Sequence, residues 1–319
     1  MEPVLEAENV YRIPVYTPFG TPPTNVYVLM GDKVGLVDCG LGHPKTREEL
    51  HAGLAQLGVE PEDVGVVVVT HAHVDHMGMA GEFPSAQVFA GQGDVHKLHD
   101  YRQHLREYMG VVRGLMKEWG VSDETVQALV EAFRGFAQMA QSVPGARGLS
   151  SGEVLEGLGF PLEVVEFPGH TEGLIGLYRR KDELLLSSDH LLSEITPNPG
   201  LFTDEDPPRS GLEAYVASVR GLREMDISLV LPGHGPVFQE HKERIDTILT
   251  HHEERLRVVR GAVGEGSTAY TASRRVFGEL DSTNIFLAVR ETFGHLEILV
   301  RDGLVEVQRQ GPVDVYSAP

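Results

Sequence analysis

A single cysteine, Cys39, among 319 residues rules out an intrachain disulfide and fits a reducing compartment. Basic charge is also scarce, with 27 Lys and Arg against 47 Asp and Glu for a formal net charge of −20. A surface of that sign repels phosphate backbones and anionic lipid, which disfavours nucleic acid and membrane as partners. No apolar run approaches the ~20 residues of a membrane helix. The opening MEPVLEAENV has neither the basic region nor the apolar stretch of a secretory signal, so a cytoplasmic location is expected. The remaining composition, 41% hydrophobic and 23% charged, is ordinary for a globular chain long enough to bury a large core.

Histidine is plentiful, with 15 residues, and its placement is uneven. THAHVDHMG (70–78) sets His71, His73, Asp75 and His76 within six positions. It follows Val64–Val69, a β-branched run that fits a buried strand. Upstream, NVYVLMGDKVGLVDCG (25–40) predicts two strands around Gly31-Asp32, and Leu50, Leu54 and Leu57 predict a helix stopped by Gly58. Three later segments each end a strand on a ligand-type residue: EFPGHT on His170, LLLSSDH on Asp189 and LVLPGHG on His234. Proline-glycine turns before His170 and His234 direct those imidazoles off the strand ends into a common cleft.

Seven such residues exceed the needs of one ion. They suffice for two metals sharing a carboxylate, held about 3.5–4 Å apart with a bridging hydroxide. Imidazole and carboxylate donors suit zinc, and also iron or manganese. In that arrangement His71 and His73 serve one ion, and Asp75 and His76 face the other.

These motifs, in this order, resemble the metallo-β-lactamase superfamily over residues ~10–240, with Asp38 of VDCG as a further member of the set. The resemblance implies an α/β (α+β by some schemes) αββα sandwich with the metals at one edge. It also implies that His71, His73 and His170 bind one metal, that Asp75, His76 and His234 bind the second, and that Asp189 bridges. Asp38 would then fix the ligand loop by hydrogen bonds. Retention of the bridging aspartate resembles the thioesterase, lactonase and phosphodiesterase branches rather than true β-lactamases. Histidine rather than glutamate at 73 argues against flavodiiron proteins. The 44 residues between Asp189 and His234 leave no room for a β-CASP insertion. DHLLSEITPN is similar to hydrolases related to glyoxalase II and to lactamase-like proteins with a winged-helix tail. That places His190 as a second candidate catalytic residue beside Asp75, which would orient the nucleophile.

The expected organisation is a catalytic domain over 1–240, with a helical insertion at about 94–145, followed by a helical linker and winged-helix-like domain over 241–319. The insertion reads as two amphipathic helices, HKLHDYRQHLREYMGVVRGLMKEWG and SDETVQALVEAFRGFAQMA, the second capped by Ser122. Their Tyr, Trp, Phe and Met side chains form an apolar surface that favours a small-molecule substrate with an apolar part, such as an acyl-CoA. A dinuclear thioester or ester hydrolase is therefore expected. The alternatives are a metal-dependent endoribonuclease or phosphodiesterase, and a mononuclear-iron persulfide dioxygenase using His71, His73 and His170. In the tail, LEILVRDGLVEVQRQGPVDVY alternates around Asp302-Gly303 and Gln310-Gly311-Pro312, a hairpin pattern. The winged-helix-like reading instead takes ASRRVFGEL and STNIFLAVRETFGHLEILVRDG as two helices and GLVEVQRQGPVDVY as the wing. The tail carries 10 Lys and Arg against 12 Asp and Glu, so it reads as a packing or homodimer element rather than an RNA-binding one. The remaining histidines, His43, His51, His96, His99, His104, His241, His251, His252 and His295, have no matching ligand partners in the sequence.

Overall fold

The computed structural model describes residues 3–280 and 282–319. Seven strands form the first sheet in chain order: β1 (Val4–Ala7), β2 (Val10–Val15), β3 (Thr24–Met30), β4 (Val34–Val37), β5 (Val64–Val69), β6 (Gln87–Gly91) and β7 (Arg147–Leu149). The first four pair antiparallel and the last four parallel. Helix α1 (Pro44–Gln56) makes the crossover from β4 to β5, with its start capped by His43 Nδ1. The second sheet contains β8 (Val154–Leu155), β9 (Leu162–Glu166), β10 (Ile175–Arg179), β11 (Leu184–Ser188) and β14 (Leu229–Pro232). Two short strands, β12 (Leu201–Phe202) and β13 (Arg209–Ser210), pair with each other antiparallel.

The layers follow from which faces are apolar. Val10, Leu29, Val66 and Val68 of the first sheet meet Val164, Ile175, Leu177 and Leu186 of the second in one buried cluster. The opposite face of the first sheet packs on Leu50 and Leu54 of α1. The second sheet is covered by α6 (Leu212–Leu222) and the start of α7 (His241–Val263), through Tyr215, Val219, Ile245 and Ile248. The result is the αββα order expected.

The insertion contains α3 (Val95–His99), α4 (Tyr101–Glu118) and α5 (Asp123–Phe136), with Ser122 Oγ accepting from Thr125 N as its cap. The single helix expected over 96–120 is broken at Asp100, whose extended backbone lets its carboxylate accept from Gln103 N at 3.0 Å and start α4. The tail supplies α8 (Ala269–Phe277), α9 (Ser282–Arg301) and the hairpin β15 (Glu306–Gln310) and β16 (Val313–Ser317). LEILV therefore does not form a strand. Val289, Phe293 and Leu296 recur at helical spacing and bury themselves against α4 and α5, and this packing overrides local alternation. Insertion and tail share this one cluster, in which Trp119 (1% exposed) meets Phe293 at 4.8 Å and Tyr270 N donates to Trp119 O. Burying each such large side chain stabilises the fold by roughly 1.5–3 kcal/mol. Among the described residues, no helix is long and apolar enough to cross a membrane.

Two histidines without apparent partners in the sequence meet in this region. His252 Nδ1 of α7 and His295 Nε2 of α9 are 3.3 Å apart, with Tyr215, His251, Arg255 and Glu291 around them. Burial, reinforced for His252 by its histidine neighbours, pushes His252 down to about 3; burial pushes His295 down to about 4 against the pull of Glu291. Both rings are thus neutral in the folded chain, whereas the unfolded chain protonates them near 6.5. Their contribution is present in full above pH 6.5 and is lost as pH falls towards 4. At pH 5 the loss is about 2 kcal/mol per ring. The Tm of wild type is expected to drop between pH 7.5 and 5 by more than that of a His252→Gln/His295→Gln variant. Equal drops would show that this pair does not govern acid sensitivity.

Candidate metal centre

Every ligand-type segment arrives at the same end of the two sheets. Ile175 N donates to Thr70 O at 2.9 Å, tying the start of β10 to the end of β5. The loop from β5 to the short helix α2 (Val74–Met77) carries His71, His73, Asp75 and His76. The β9–β10 loop carries His170, Asp189 follows β11, and His234 follows β14. Two glycines permit this convergence. Gly169 has φ +142, and a Cβ there would meet Tyr215 Cα at 2.4 Å; a Cβ on Gly233 would stand 2.2 Å from Asp189 Oδ1. Two non-glycine residues also adopt left-handed backbone at the edge of the site, Asp38 (φ 60) and Ser188 (φ 50). Such positions cost about 1–2 kcal/mol each and turn the chain sharply at the strand ends.

The ligand atoms fall into two groups that share a member. His73 Nδ1 lies 2.9 Å from both His71 Nε2 and His170 Nε2. On the other side, His76 Nε2 and His234 Nε2 are 3.3 Å apart, with Asp75 Oδ2 3.4 Å from His234 and 3.8 Å from His76. Asp189 Oδ2 reaches both groups, at 3.5 Å from His76, 3.4 Å from His234 and 3.7 Å from His170. Three sets, His71/His73/His170, His71/His76/Asp189 and Asp75/His76/His234, each hold their ligand atoms within 4.8 Å of one another.

The surroundings fit metal ions rather than a self-contained polar network. Asp189 Oδ1 is buried and has no hydrogen-bond partner among the described residues. The rings are held from behind by their far nitrogens: His170 Nδ1 donates to Asn198 O, His234 Nδ1 to Pro22 O and His76 Nδ1 to Asp38 Oδ2, at 2.8–2.9 Å. His71 Nδ1 contacts Thr70 Oγ1 at 3.1 Å. The Nε2 atoms of these rings are thereby turned to the centre of the cluster, the usual arrangement behind metal-binding histidines. The two halves differ electrostatically. Burial, with neighbouring imidazoles, holds His71 well below its ordinary pKa and His73 down to about 3; burial also lowers His170. In the other half burial acts the same way on His76 and His234, but Asp189 and the other carboxylates outweigh it and raise both, His234 to about 10. Asp75 is held down to about 2, because His76 and His234 outweigh its burial. The clusters are suited to a dinuclear metal site, with His73 on the more open side.

Asp38 stands where the resemblance placed it, its carboxylate accepting from Thr70 N, Thr70 Oγ1 and His76 Nδ1. Cys39 is buried, its thiol donating to His76 O. His190 is different. It is fully buried, stacked on Phe167 at 4.4 Å, against Tyr215, with Ser218 Oγ 3.1 Å from Nε2. Burial lowers its pKa to about 3. The chain after Ser188 turns Asp189 to the cluster and the next side chain away from it, so His190 packs in the layer behind and does not stand where the catalytic role expected of it would require.

Residues that sequence reasoning did not single out complete the site. Asp94, wholly buried, accepts from Ala72 N, Gly173 N, Thr171 Oγ1 and Lys97 Nζ, and so clamps the His71–His73 turn to the His170 loop. Lys97 also donates to Glu172 at 2.8 Å. Arg290 of α9 donates through Nε to Asn198 Oδ1, while the Asn198 carbonyl holds His170. Asn198 Nδ2 also donates to Leu287 O of α9, so the tail braces His170 through Asn198.

Comparison with known proteins gives a consistent result. The sequence model of the metallo-beta-lactamase superfamily matches residues 19–234. A probable metallo-hydrolase of Bacillus subtilis, YqjP, is 29% identical over 92% of this chain and 93% of its own. The acyl-coenzyme A thioesterase MBLAC2 of Gallus gallus is 28% identical over 67% of this chain and 73% of its own. The crystal structure of a metallo-beta-lactamase family protein from Thermus thermophilus, TTHA1429, superposes with a TM-score of 0.85, at 27% identity, covering 98% of this chain and 99% of that one.

Proposed function

This chain belongs to the metallo-beta-lactamase superfamily, and from that premise we propose that it is a dinuclear metal-dependent hydrolase of a thioester or ester with an apolar part. The observation that carries the reading is Asp189, whose Oδ2 faces residues of both half-sites while its Oδ1 is buried without a partner among the described residues. Divalent ions bound there supply a Lewis acid for the carbonyl and a water of lowered pKa. His71, His73 and His170 would hold one ion and Asp75, His76 and His234 the other, with Asp189 between. Zinc is the metal proposed, and iron or manganese suits the same nitrogen and oxygen donors.

The chain's own residues supply position and charge. His73, the partly exposed ligand, marks the side from which substrate approaches. Asp75, ionised through the whole neutral range, is the acceptor placed to orient the attacking water. The hydrogen bonds of Asp38, Asn198 and Pro22 behind the rings keep the ligands from turning as charge develops. Likeness to an acyl-coenzyme A thioesterase supports the choice of a thioester.

The test is metal quantification joined to a substrate panel of thioesters, esters, lactones, phosphodiesters and RNA. Two metal equivalents per chain with thioester or ester turnover are expected. Cleavage of phosphodiesters or RNA alone, or one iron per chain with persulfide oxidation, would overturn the reading.

A further inference from the structure

Helices α4 and α5 enclose a groove of about 770 Å³ whose rim is basic and whose floor is apolar. Arg102, Arg106 and Arg113 of α4 face it, with Arg134 of α5 across from them. Spacings of four and seven residues put the three α4 arginines on one helical face. In a chain of net charge −20, these three have no ion pair or hydrogen bond among the described residues, whereas Arg134 is paired with Glu131. Beneath them lie Leu105, Met109, Val130 and Phe133.

We propose that this groove binds the phosphate-bearing carrier of the acyl substrate, the chemistry that coenzyme A presents. The inference rests on the thioester reading and extends it to a second contact area. Guanidinium groups bind phosphate oxygens bidentately, and a row of them exceeds what one carboxylate requires. The volume lies in the ordinary range of small-molecule sites, about 300–1,000 Å³. A concave site on a strongly acidic chain suits a compact anion better than an anionic bilayer, which the rest of the surface repels.

Both flanks of the groove connect, through intermediate side chains, to the supports of the metal centre. Phe133 of its floor contacts Phe286 at 5.9 Å, and Arg290, which braces the His170 side of the centre through Asn198, lies over that same ring. On the other flank Phe136 contacts Phe19 at 5.2 Å, in the loop whose Pro22 carbonyl holds His234. A carrier held between α4 and α5 therefore packs on the aromatic side chains that lead to the supports of His170 and His234.

Gly110 allows a clean test, because a Cβ at this groove-lining position would meet nothing within 4 Å. Free coenzyme A is titrated by calorimetry into the full-length metal-loaded protein, its Arg106→Glu/Arg113→Glu variant, its Gly110→Phe variant and an Arg220→Glu control on α6. The same proteins are assayed on one acyl group carried by coenzyme A and by phosphate-free pantetheine. Coenzyme A affinity and the kcat/KM preference for the coenzyme A ester are expected to fall by about tenfold per arginine reversed. The Gly110→Phe variant should lose both, and the control neither. Absence of coenzyme A binding to wild type, or binding unchanged by the groove variants, would overturn the proposal. Lack of turnover on either ester would sink the thioesterase reading alone, since groove-dependent coenzyme A binding is measured without it. Equal kcat/KM on the two carriers would sink the groove proposal and leave the hydrolase standing.

Discussion

Asp189→Ala is expected to lower turnover by about a thousandfold or more and to leave fewer than two metal equivalents bound, since metal charge stabilisation of several kcal/mol is at stake. The reasoning is geometric. Asp189 is 6% exposed and its Oδ2 lies within 3.7 Å of His170, His76 and His234, and among the described residues no other carboxylate spans the two half-sites. Asp75, the remaining acid of the cluster, approaches only His76 and His234. Removing Asp189 also withdraws the negative charge that counters burial at those two rings. Asp189→Asn keeps the shape and loses the charge, so it should resemble alanine in metal content. Metal analysis and initial rates on the same preparations decide the matter. Two bound metals with full turnover in Asp189→Ala would remove the bridging role.

Asp94→Ala is expected to destabilise the fold by about 3–5 kcal/mol, the usual cost of removing one partner from a buried ion pair. Asp94 is fully buried and Lys97 nearly so, and alanine would leave the ammonium with Glu172 as its remaining acidic partner. It would also strip the acceptor from Ala72 N, Gly173 N and Thr171 Oγ1. Lys97→Met should cost less, because Asp94 would keep those three donors. Urea denaturation of the three proteins measures the order, and a Lys97→Met cost equal to that of Asp94→Ala would put the effect in the ion pair rather than in the clamp. Burial would raise the Asp94 pKa, but Lys97 and the donors outweigh it and hold the group down to about 2. Its contribution is therefore present above the unfolded value near 3.9 and is lost as pH falls through about 2. Because the clamp joins the His71–His73 turn to the His170 loop, metal affinity should weaken along with stability.

The seven candidate ligands were legible because metal chemistry demands particular side chains at strand ends, and strand ends announce themselves through valine runs and proline-glycine turns. HxHxDH after Val64–Val69 and PGH before residues 171 and 235 need no tertiary information to be noticed. The helical character of 94–145 was equally visible from apolar spacing. The direction of a side chain beside a ligand was not. His190 follows Asp189 directly, yet the turn at Ser188 sends it into the layer behind, against Phe167. Likewise the alternation of LEILV suggested a strand, and contacts of Phe293 and Leu296 with the insertion made it the last turns of a helix.

By itself the sequence determined the candidate ligand residues, the order of the elements and the acidic character of the chain, since these depend on residue type and local period. Only the tertiary structure decided that Asp94 clamps two ligand loops, that Arg290 reaches a ligand's support from the far end of the chain, and that His252 meets His295. It also decided that arginines without partners among the described residues line the groove between α4 and α5. Each of these joins segments far apart in the chain, and such pairings are set by how apolar faces stack, which leaves no local signal at the residues that happen to meet.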